Sequence, residues 1–382
     1  MTPPPLSLEQ LTPDVTKAAY LERMLDKNAA SYKHYWLRAI VEELAEGHRE
    51  MSFTALVARM VASAWYPVVY FHLSLGASDK LAELIAHLQQ RHRIANDERP
   101  DRITYTVVSL ASADERLARL IRDRTHNVPY RLIRPFYEDE LAAIRRADPR
   151  WYDTKTDTAI FELNRRDPRD CIYQIAQDRL SLTVAPDWAD FITANMPVIQ
   201  GWLDYRLAKY LQARNPSVPA IIEKLRPPRQ RDLSAATSYW RLAMQRADLR
   251  EVYTGEPLTM ESLSSRGGLS IDHFVPWSFV MHDEAWNLLP MARNLNSSKS
   301  DRLPQLERYL QPLCRQHFDA LIATRGSGAP RAVIESYLAI DPHVLEYEDS
   351  PASRQRFAEN LQRTITPLYQ IALNQGYAVW SA

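Results

Sequence analysis

The sequence predicts a predominantly helical α+β protein, in which a larger, mostly helical N-terminal region with a small β insert precedes a C-terminal domain. Three observations support this prediction. Apolar residues recur at helical spacing through most of the first two thirds of the chain, and a few short β-prone runs interrupt them. The length of 382 residues exceeds one typical domain, and a hydrophobic share of 46% is enough to build a core.

Amphipathic helices account for most of the N-terminal region. Between residues 17 and 50, apolar residues recur every three or four positions with charges between them, which predicts two helices. Ser52 is a suitable N-cap for a third helix, which Pro67 would end. The remaining predicted helices cover residues 80–93, 115–124, 139–146, 187–212 and 233–249. Within the fourth of these, Pro197 predicts a kink or a break.

Short runs rich in β-branched and aromatic residues are expected to form the β insert. VVYFHLSLG (68–76) and ITYTVVSL (103–110) are β-prone in composition. AIFELN (159–164), CIYQI (171–175) and LSLTV (180–184) are brief and separated by charged or turn residues, which predicts a small sheet.

Composition limits the classes of protein to which the chain can belong. Lys plus Arg (47) equals Asp plus Glu (47), so any nucleic-acid surface must be a local patch. Cys171 and Cys314 have no CxxC partner, which argues against a structural zinc or a disulfide framework and favours a reducing cytoplasm. The most apolar window, residues 53–76, is interrupted by Arg59 and Pro67, so we expect a buried helix and no membrane partner.

A proline-rich basic stretch marks a domain boundary. Residues 215–231 contain four prolines and a run of bases, so we predict a recognition or regulatory region over 1–230 and a second domain over 231–382. Lys and Arg contacts to phosphate supply most sequence-independent affinity for nucleic acid. The candidate DNA-binding residues are Lys224, Arg226, Arg229, Arg231, Arg241, Arg246 and Arg250. A solvated linker and helix face explains the same charges almost as well.

Four polar side chains after this stretch have the chemistry of metal-assisted phosphodiester cleavage. Asp272 and His273 end a short apolar run, Asn287 follows a loop, and Asn296 begins the polar turn NSSKSDR. Carboxylate and amide oxygens are hard ligands that suit Mg²⁺ or Mn²⁺. An imidazole, with a free pKa of about 6.5, can accept a proton near neutral pH.

The strings IDHFVPW, WNLLP and NSSKSDRLP, in that order, resemble the HNH endonuclease motif. The closest likeness is to the zinc-free version in RNA-guided CRISPR nucleases and in many bacterial restriction and phage-defence proteins. The resemblance implies a ββα-metal core at about residues 250–304, followed by C-terminal helices. VYTGEPL would lead into the first strand, LSIDHFVPW would form the second, and Pro290 would lie in the first turn of the helix.

The resemblance also implies a role for each polar residue. Asp272 and Asn296 would hold one Mg²⁺ or Mn²⁺ ion, and His273 would be the general base. Asn287 would pin the loop that orients His273, and Lys299 would contact a phosphate or the transition state. The implied reaction is DNA hydrolysis that leaves 5′-phosphate and 3′-hydroxyl ends.

No structural zinc is expected. The positions at which many HNH domains carry zinc-binding cysteines are Glu251, Thr254, Ala292 and Leu295. Packing of apolar residues would brace the scaffold instead, and the candidates are Val252, Tyr253, Leu289 and Leu295. His282, Asp283 and Glu284 are interpreted as a solvated loop or a helix-capping charge.

Three functions remain open at the level of sequence. The first is a DNA endonuclease of bacterial restriction or antiphage defence. The second is a nuclease subunit controlled by a ligand- or protein-sensing N-terminal module within a larger complex. The third is a nucleic-acid-binding protein with an inactive HNH site, which the presence of Asp272, His273 and Asn296 disfavours.

Overall fold

A computed structural model describes residues 7–26, 30–77, 79–148, 150–168, 170–228, 230–260 and 268–381. The chain divides into two compact units. The N-terminal unit comprises Met1–Pro216 and Ile221–Pro227, and the C-terminal unit comprises Ser217–Ala220 and Pro228–Ala382. None of the helices in the described ranges combines the length and the apolar character needed to cross a membrane.

The N-terminal unit is mostly helical, as predicted. Its helices are α1 (Val15–Met24), α2 (Tyr32–Ala45), α3 (Phe53–Trp65), α4 (Leu81–His92), α5 (Pro100–Leu110), α6 (Glu115–Thr125), α7 (Val128–Leu132), α8 (Glu138–Ala147), α9 (Lys155–Arg166), α10 (Pro186–Ala194) and α11 (Met196–Gln212). The Ser52 side chain accepts a hydrogen bond from the Ala55 N–H at 3.1 Å, which confirms the predicted N-cap of α3. The break near Pro197 is also confirmed, because α10 ends at Ala194 and Pro197 lies in the first turn of α11.

A small antiparallel sheet interrupts these helices. Its strands are β1 (Glu50–Ser52), β2 (Tyr173–Ile175) and β3 (Ser181–Val184), and β3 lies between the other two. Met51 pairs with Leu182, and Gln174 pairs with Thr183. The strands expected in CIYQI and LSLTV are therefore confirmed.

Three other strand predictions were wrong. Residues 103–110 belong to α5, where Ile103 and Val107 are buried one turn apart while Tyr105 is 75% exposed. Residues 159–164 belong to α9, whose buried Ile160 and Asn164 are also four apart. Residues 66–70 form a π-helical turn that continues from α3. In each case burial of one helix face outweighs the weak β propensity of the local composition.

The C-terminal unit combines a two-stranded sheet with helices. Its elements are α12 (Ser234–Met244), β4 (Leu269–His273), α13 (Trp277–Val280), β5 (Leu288–Ala292), α14 (Arg293–Lys299), α15 (Leu306–Thr324), α16 (Arg331–Leu338) and α17 (Pro351–Asn374). β4 and β5 are antiparallel, with Asp272 opposite Leu289 and His273 opposite Leu288. The Trp240 indole of α12 donates to the Leu288 carbonyl at 3.1 Å, which ties α12 to the start of β5.

Two details of the predicted strand order were wrong. LSIDH is the first strand of the pair and LLPMA the second, whereas the VYTGEPL segment forms a turn closed by a bridge between Arg250 and Pro257. Pro290 lies opposite Ile271 within β5 and outside any helix. A proline is tolerated there because each strand of a two-stranded sheet has an edge on which no N–H donor is required.

Candidate active site

One face of β4 meets one face of α14. Because side chains alternate along a strand, Ser270 and Asp272 point to the same face. Residues three apart on a helix also share a face, and α14 uses Asn296 and Lys299 for this contact. The Asn296 Nδ2 donates to Ser270 Oγ at 2.9 Å, and the Lys299 Nζ donates to Asp272 Oδ2 at 2.8 Å.

Lys299 is fully buried, and its ammonium bridges two oxygens of β4. Besides Asp272, it donates to the backbone carbonyl of His273 at 2.8 Å. A buried ammonium is tolerated only when paired and hydrogen-bonded, and both conditions are met here. The structure differs from the expected phosphate contact, because this side chain has no exposed surface. Lys299 instead holds the Asp272 carboxylate and the end of β4 in place.

Two hard oxygens at this contact are left without a donor. No residue in the described ranges donates to Asp272 Oδ1 or to Asn296 Oδ1, since the hydrogen bonds of these side chains use Asp272 Oδ2 and the Asn296 Nδ2. The Asp272 side chain keeps 15% of its surface exposed. A partly exposed carboxylate oxygen and an amide oxygen, held by their other atoms, fit the ligand chemistry of a divalent cation such as Mg²⁺.

His273, at the end of β4, is buried and fixed through both ring nitrogens. Its Nε2 lies 2.8 Å from Asp283 Oδ1, and its Nδ1 lies 3.4 Å from Arg231 Nη1. A carboxylate only accepts and a guanidinium only donates, so the proton is on Nε2 and the lone pair is on Nδ1. Burial lowers the pKa of His273 below its usual value and outweighs the opposing effect of Asp283 and Asp272. The ring is therefore a neutral acceptor near pH 7.

Asp283 is a site residue that sequence reasoning missed. The solvated-loop interpretation of residues 282–284 was wrong for Asp283, because its carboxylate binds His273. α13 ends at Val280, and its C-cap residue Met281 adopts a left-handed conformation with φ of 61°, which turns the loop back toward β4. No periodicity or spacing in the sequence signals such a turn.

Asn287 joins the loop after His273 to the start of β5. Its buried amide accepts from the Val275 N–H at 2.8 Å and donates to the Val275 carbonyl at 2.9 Å. The backbone carbonyl of Asn287 accepts from the Phe274 N–H at 2.8 Å. These bonds are the ones that the predicted pinning role requires, and the effect on His273 stays a prediction.

The described residues of the basic stretch are divided between the two units. Arg231 lies by His273, with its guanidinium carbon 5.0 Å from the Trp277 ring centroid. Arg241, Arg246 and Arg250 are exposed in the C-terminal unit, and Arg250 donates to the Gly255 carbonyl at 2.8 Å.

The two earlier bases of the stretch belong to the N-terminal unit. Lys224 is fully buried, and burial lowers its pKa to about 7, so the phosphate contact expected of it is wrong for this structure. Arg226 is exposed and forms an ion pair with Asp204. Arg229 lies outside the described residues.

Apolar packing surrounds the turn before β4. Val252 and Tyr253 are buried, and the Tyr253 ring packs edge-on against Tyr309 and Trp380 at centroid distances of 4.9 and 5.1 Å. Leu289 is also buried. Three of the four candidate bracing residues are therefore core residues, and Leu295 is half-buried.

The comparisons with known proteins define a nuclease domain at this site. Residues 251–305, which include β4, β5 and α14, match the family model described as HNH endonuclease. The chain therefore contains a domain of the HNH endonuclease family, whose nucleases generally use a divalent metal ion. The N-terminal region has no family match. No curated protein and no solved structure matches the chain.

Proposed function

We propose that the chain is a metal-dependent DNA endonuclease that acts through the β4, β5 and α14 site as a ββα-metal centre. The observation that supports it best is the pair of donor-free oxygens on Asp272 and Asn296, together with a buried neutral imidazole on His273, which follows Asp272 in β4. A hard-oxygen ligand pair and a base of this kind are what metal-assisted hydrolysis of a phosphodiester needs.

Asp272 and Asn296 would hold one Mg²⁺ or Mn²⁺ ion through their Oδ1 atoms. When bound, the ion would supply positive charge that stabilises the charge developing on the phosphate oxygens. Lys299 keeps Asp272 Oδ2 occupied and so leaves Oδ1 as the ligand atom. No cysteine takes part in this arrangement.

His273 accepts the proton of the attacking water at Nδ1. The water oxygen forms a bond to phosphorus, the bond from phosphorus to the 3′ oxygen breaks, and that oxygen takes up a proton. The products are 5′-phosphate and 3′-hydroxyl ends. Asp283 keeps the proton on Nε2, so that Nδ1 always presents its lone pair.

Arg231 would bind a phosphate oxygen beside the base. Its contact with Nδ1 at 3.4 Å is long for a hydrogen bond, so an anionic oxygen competes well for the same donor. Transfer of the guanidinium to the phosphate would uncover Nδ1 at the moment that substrate is present. The HNH resemblance favours restriction or antiphage defence as the biological setting.

Cleavage of supercoiled and linear DNA in Mg²⁺ or Mn²⁺ tests the proposal. We expect His273→Ala to lose cleavage by about 10² to 10⁴ while it retains divalent-ion binding, and Asp272→Ala to lose both. His343→Ala is the matched control, because its ring is exposed and belongs to the same unit. Wild-type cleavage by His273→Ala, or equal loss of metal affinity in the two variants, would contradict the assignment.

A further inference from the structure

The N-terminal unit contains a second group of metal-ligand side chains, far in sequence from the HNH motif. His87 and His92 lie on α4, and Asp114 is the N-cap of α6. The Nε2 atoms of the two histidines each lie 2.9 Å from the same oxygen, Asp114 Oδ2. The three ligand atoms lie within 4.8 Å of one another. The side chains are mostly buried, with 10%, 20% and 15% of their surfaces exposed.

These distances are close to those of a zinc ligand set. Zinc binds imidazole nitrogen and carboxylate oxygen at about 2.0–2.2 Å, so neighbouring ligands of a tetrahedral ion lie roughly 3.3 Å apart. The observed 2.9 Å separations would need to open by only a few tenths of an ångström. The other carboxylate oxygen, Oδ1, is occupied by the Leu117 N–H at 2.9 Å, which fixes the Asp114 carboxylate with Oδ2 toward the histidines.

The charge balance of the group distinguishes it from a second cluster in the same unit. Glu43, Glu46 and His48 also lie close together, but Arg59 forms ion pairs with both glutamates. In the described ranges no Lys or Arg forms an ion pair with Asp114, whose side-chain partners are the two imidazoles. Arg59 therefore already balances charge in the cluster of Glu43, Glu46 and His48, whereas Asp114 has no ion pair with a Lys or Arg of the described ranges.

Space for a fourth ligand adjoins the group. A cavity of about 960 Å³ is lined by His87, His92 and Asp114, by Glu83, and on its other sides by residues that include Arg91, Arg116 and Arg119. Glu83 precedes His87 by one helical turn on α4, so its carboxylate or a water molecule can complete the coordination.

We propose that His87, His92 and Asp114 bind a divalent transition metal of the zinc type in the N-terminal unit. Two imidazoles and one carboxylate favour such an ion over Mg²⁺, which prefers oxygen ligands. The ion would join the end of α4 to the start of α6. This site is separate from the proposed nuclease centre and does not depend on nuclease activity.

Metal content and thermal unfolding of the full chain test this site. The protein is stripped with a chelator and dialysed against Zn²⁺ in the presence of excess Mg²⁺, which occupies the oxygen ligands near Asp272. We expect the wild type to retain one more zinc per chain than the His87→Ala/His92→Ala variant, and zinc to raise the Tm of the wild type only. Co²⁺ substitution should give a visible absorption spectrum that the double variant lacks.

Two further variants keep the test decisive. Asp114→Asn retains an oxygen for the α6 cap and so preserves the fold, yet it should weaken zinc binding by at least about 10-fold. His48→Ala, which removes an imidazole from the other cluster, should bind zinc like the wild type. Equal zinc content in the wild type and the double variant would overturn the proposal. Asp114 would then be only a helix cap that is hydrogen-bonded to the two histidines. Loss of zinc in His48→Ala alone would assign the ion to the other cluster.

Discussion

At the scale of single residues, the proposed base depends on a carboxylate that lies between the recognisable strings of the motif. His273 is buried, and a buried imidazole can present either nitrogen to a substrate unless a neighbour selects one. Asp283 makes that selection by accepting the Nε2 proton at 2.8 Å. Asp283 is therefore a positioning residue, since it acts on the reaction only through His273.

Substitution of Asp283 tests this role. We expect Asp283→Ala to lower kcat by about 10- to 100-fold with little change in KM for DNA or in Mg²⁺ affinity. Asp283→Asn should recover part of the loss, because the amide oxygen can still accept from Nε2. Nitrogen NMR of labelled histidine should show the Nε2–H tautomer in the wild type and a mixture in Asp283→Ala. An unchanged tautomer together with lowered kcat would show that Asp283 acts in another way.

The same residue shows where sequence reasoning ends. Asp272, His273, Asn287 and Asn296 could be proposed as site residues because their types and order recur in a known motif, and their chemistry fits that order. Asp283 reaches His273 only because Met281 takes a left-handed conformation, and such a turn leaves no mark in the hydrophobic pattern. The burial of Lys299 was missed for a similar reason, because its partners lie 26 and 27 residues away in sequence.

At the scale of secondary-structure elements, helices were predicted well where one apolar face is continuous, and strands poorly where composition was the main signal. Residues 103–110 contain β-branched and aromatic residues, but the spacing of buried Ile103 and Val107 suits a helix. The order of strands around β4 was also misjudged, because a proline was taken as a helix-start signal. On the unpaired edge of a strand the same residue is equally acceptable, as Pro290 in β5 shows.

The arginines near α12 test whether this element binds DNA. Arg241 lies on α12 and Arg246 just after it, and both are exposed. If each contacts a phosphate, Arg241→Ala/Arg246→Ala should reduce the slope of log affinity against log salt by roughly two units and leave base preference unchanged. Affinity is measured over a salt series in a His273→Ala background, so that no DNA is cut.

The matched control for this experiment removes the same charge elsewhere in the C-terminal unit. Arg325 and Arg363 are exposed arginines of that unit, and their double Ala variant should keep the wild-type slope if α12 binds DNA. Equal slopes for the two double variants would place the DNA path away from α12.

At the scale of the whole molecule, the chain passes between its two units more than once. Residues 217–220 belong to the C-terminal unit, and Ile221–Pro227 returns to the N-terminal unit before the chain leaves it. Ile221, Lys224 and Leu225 are buried in this returning segment. Prolines and charges predict a domain boundary in this part of the sequence. They do not show which of its residues are buried in a core.

The contribution of the buried Lys224 to stability should depend on pH. Burial lowers its pKa to about 7, below the ordinary value of 10.5 that applies in the unfolded chain. Between these two pH values the unfolded state binds more protons than the folded state, so the unfolding free energy increases steadily as the pH rises. Below pH 7 the lysine is protonated in both states and the full cost of burying its charge remains.

Replacement of this lysine by an uncharged side chain of similar length should remove that pH dependence. We expect the unfolding free energy of the wild type, measured relative to that of Lys224→Met, to increase by roughly 1 kcal/mol per pH unit between pH 7 and pH 9. Denaturant unfolding at several pH values measures the difference, and Lys209→Met, which alters an exposed lysine of the same unit, is the control. The control should follow the wild type at every pH in this range. A constant difference between the wild type and Lys224→Met would mean that Lys224 stays charged in the folded protein, with its ammonium accommodated by polar groups of the N-terminal unit.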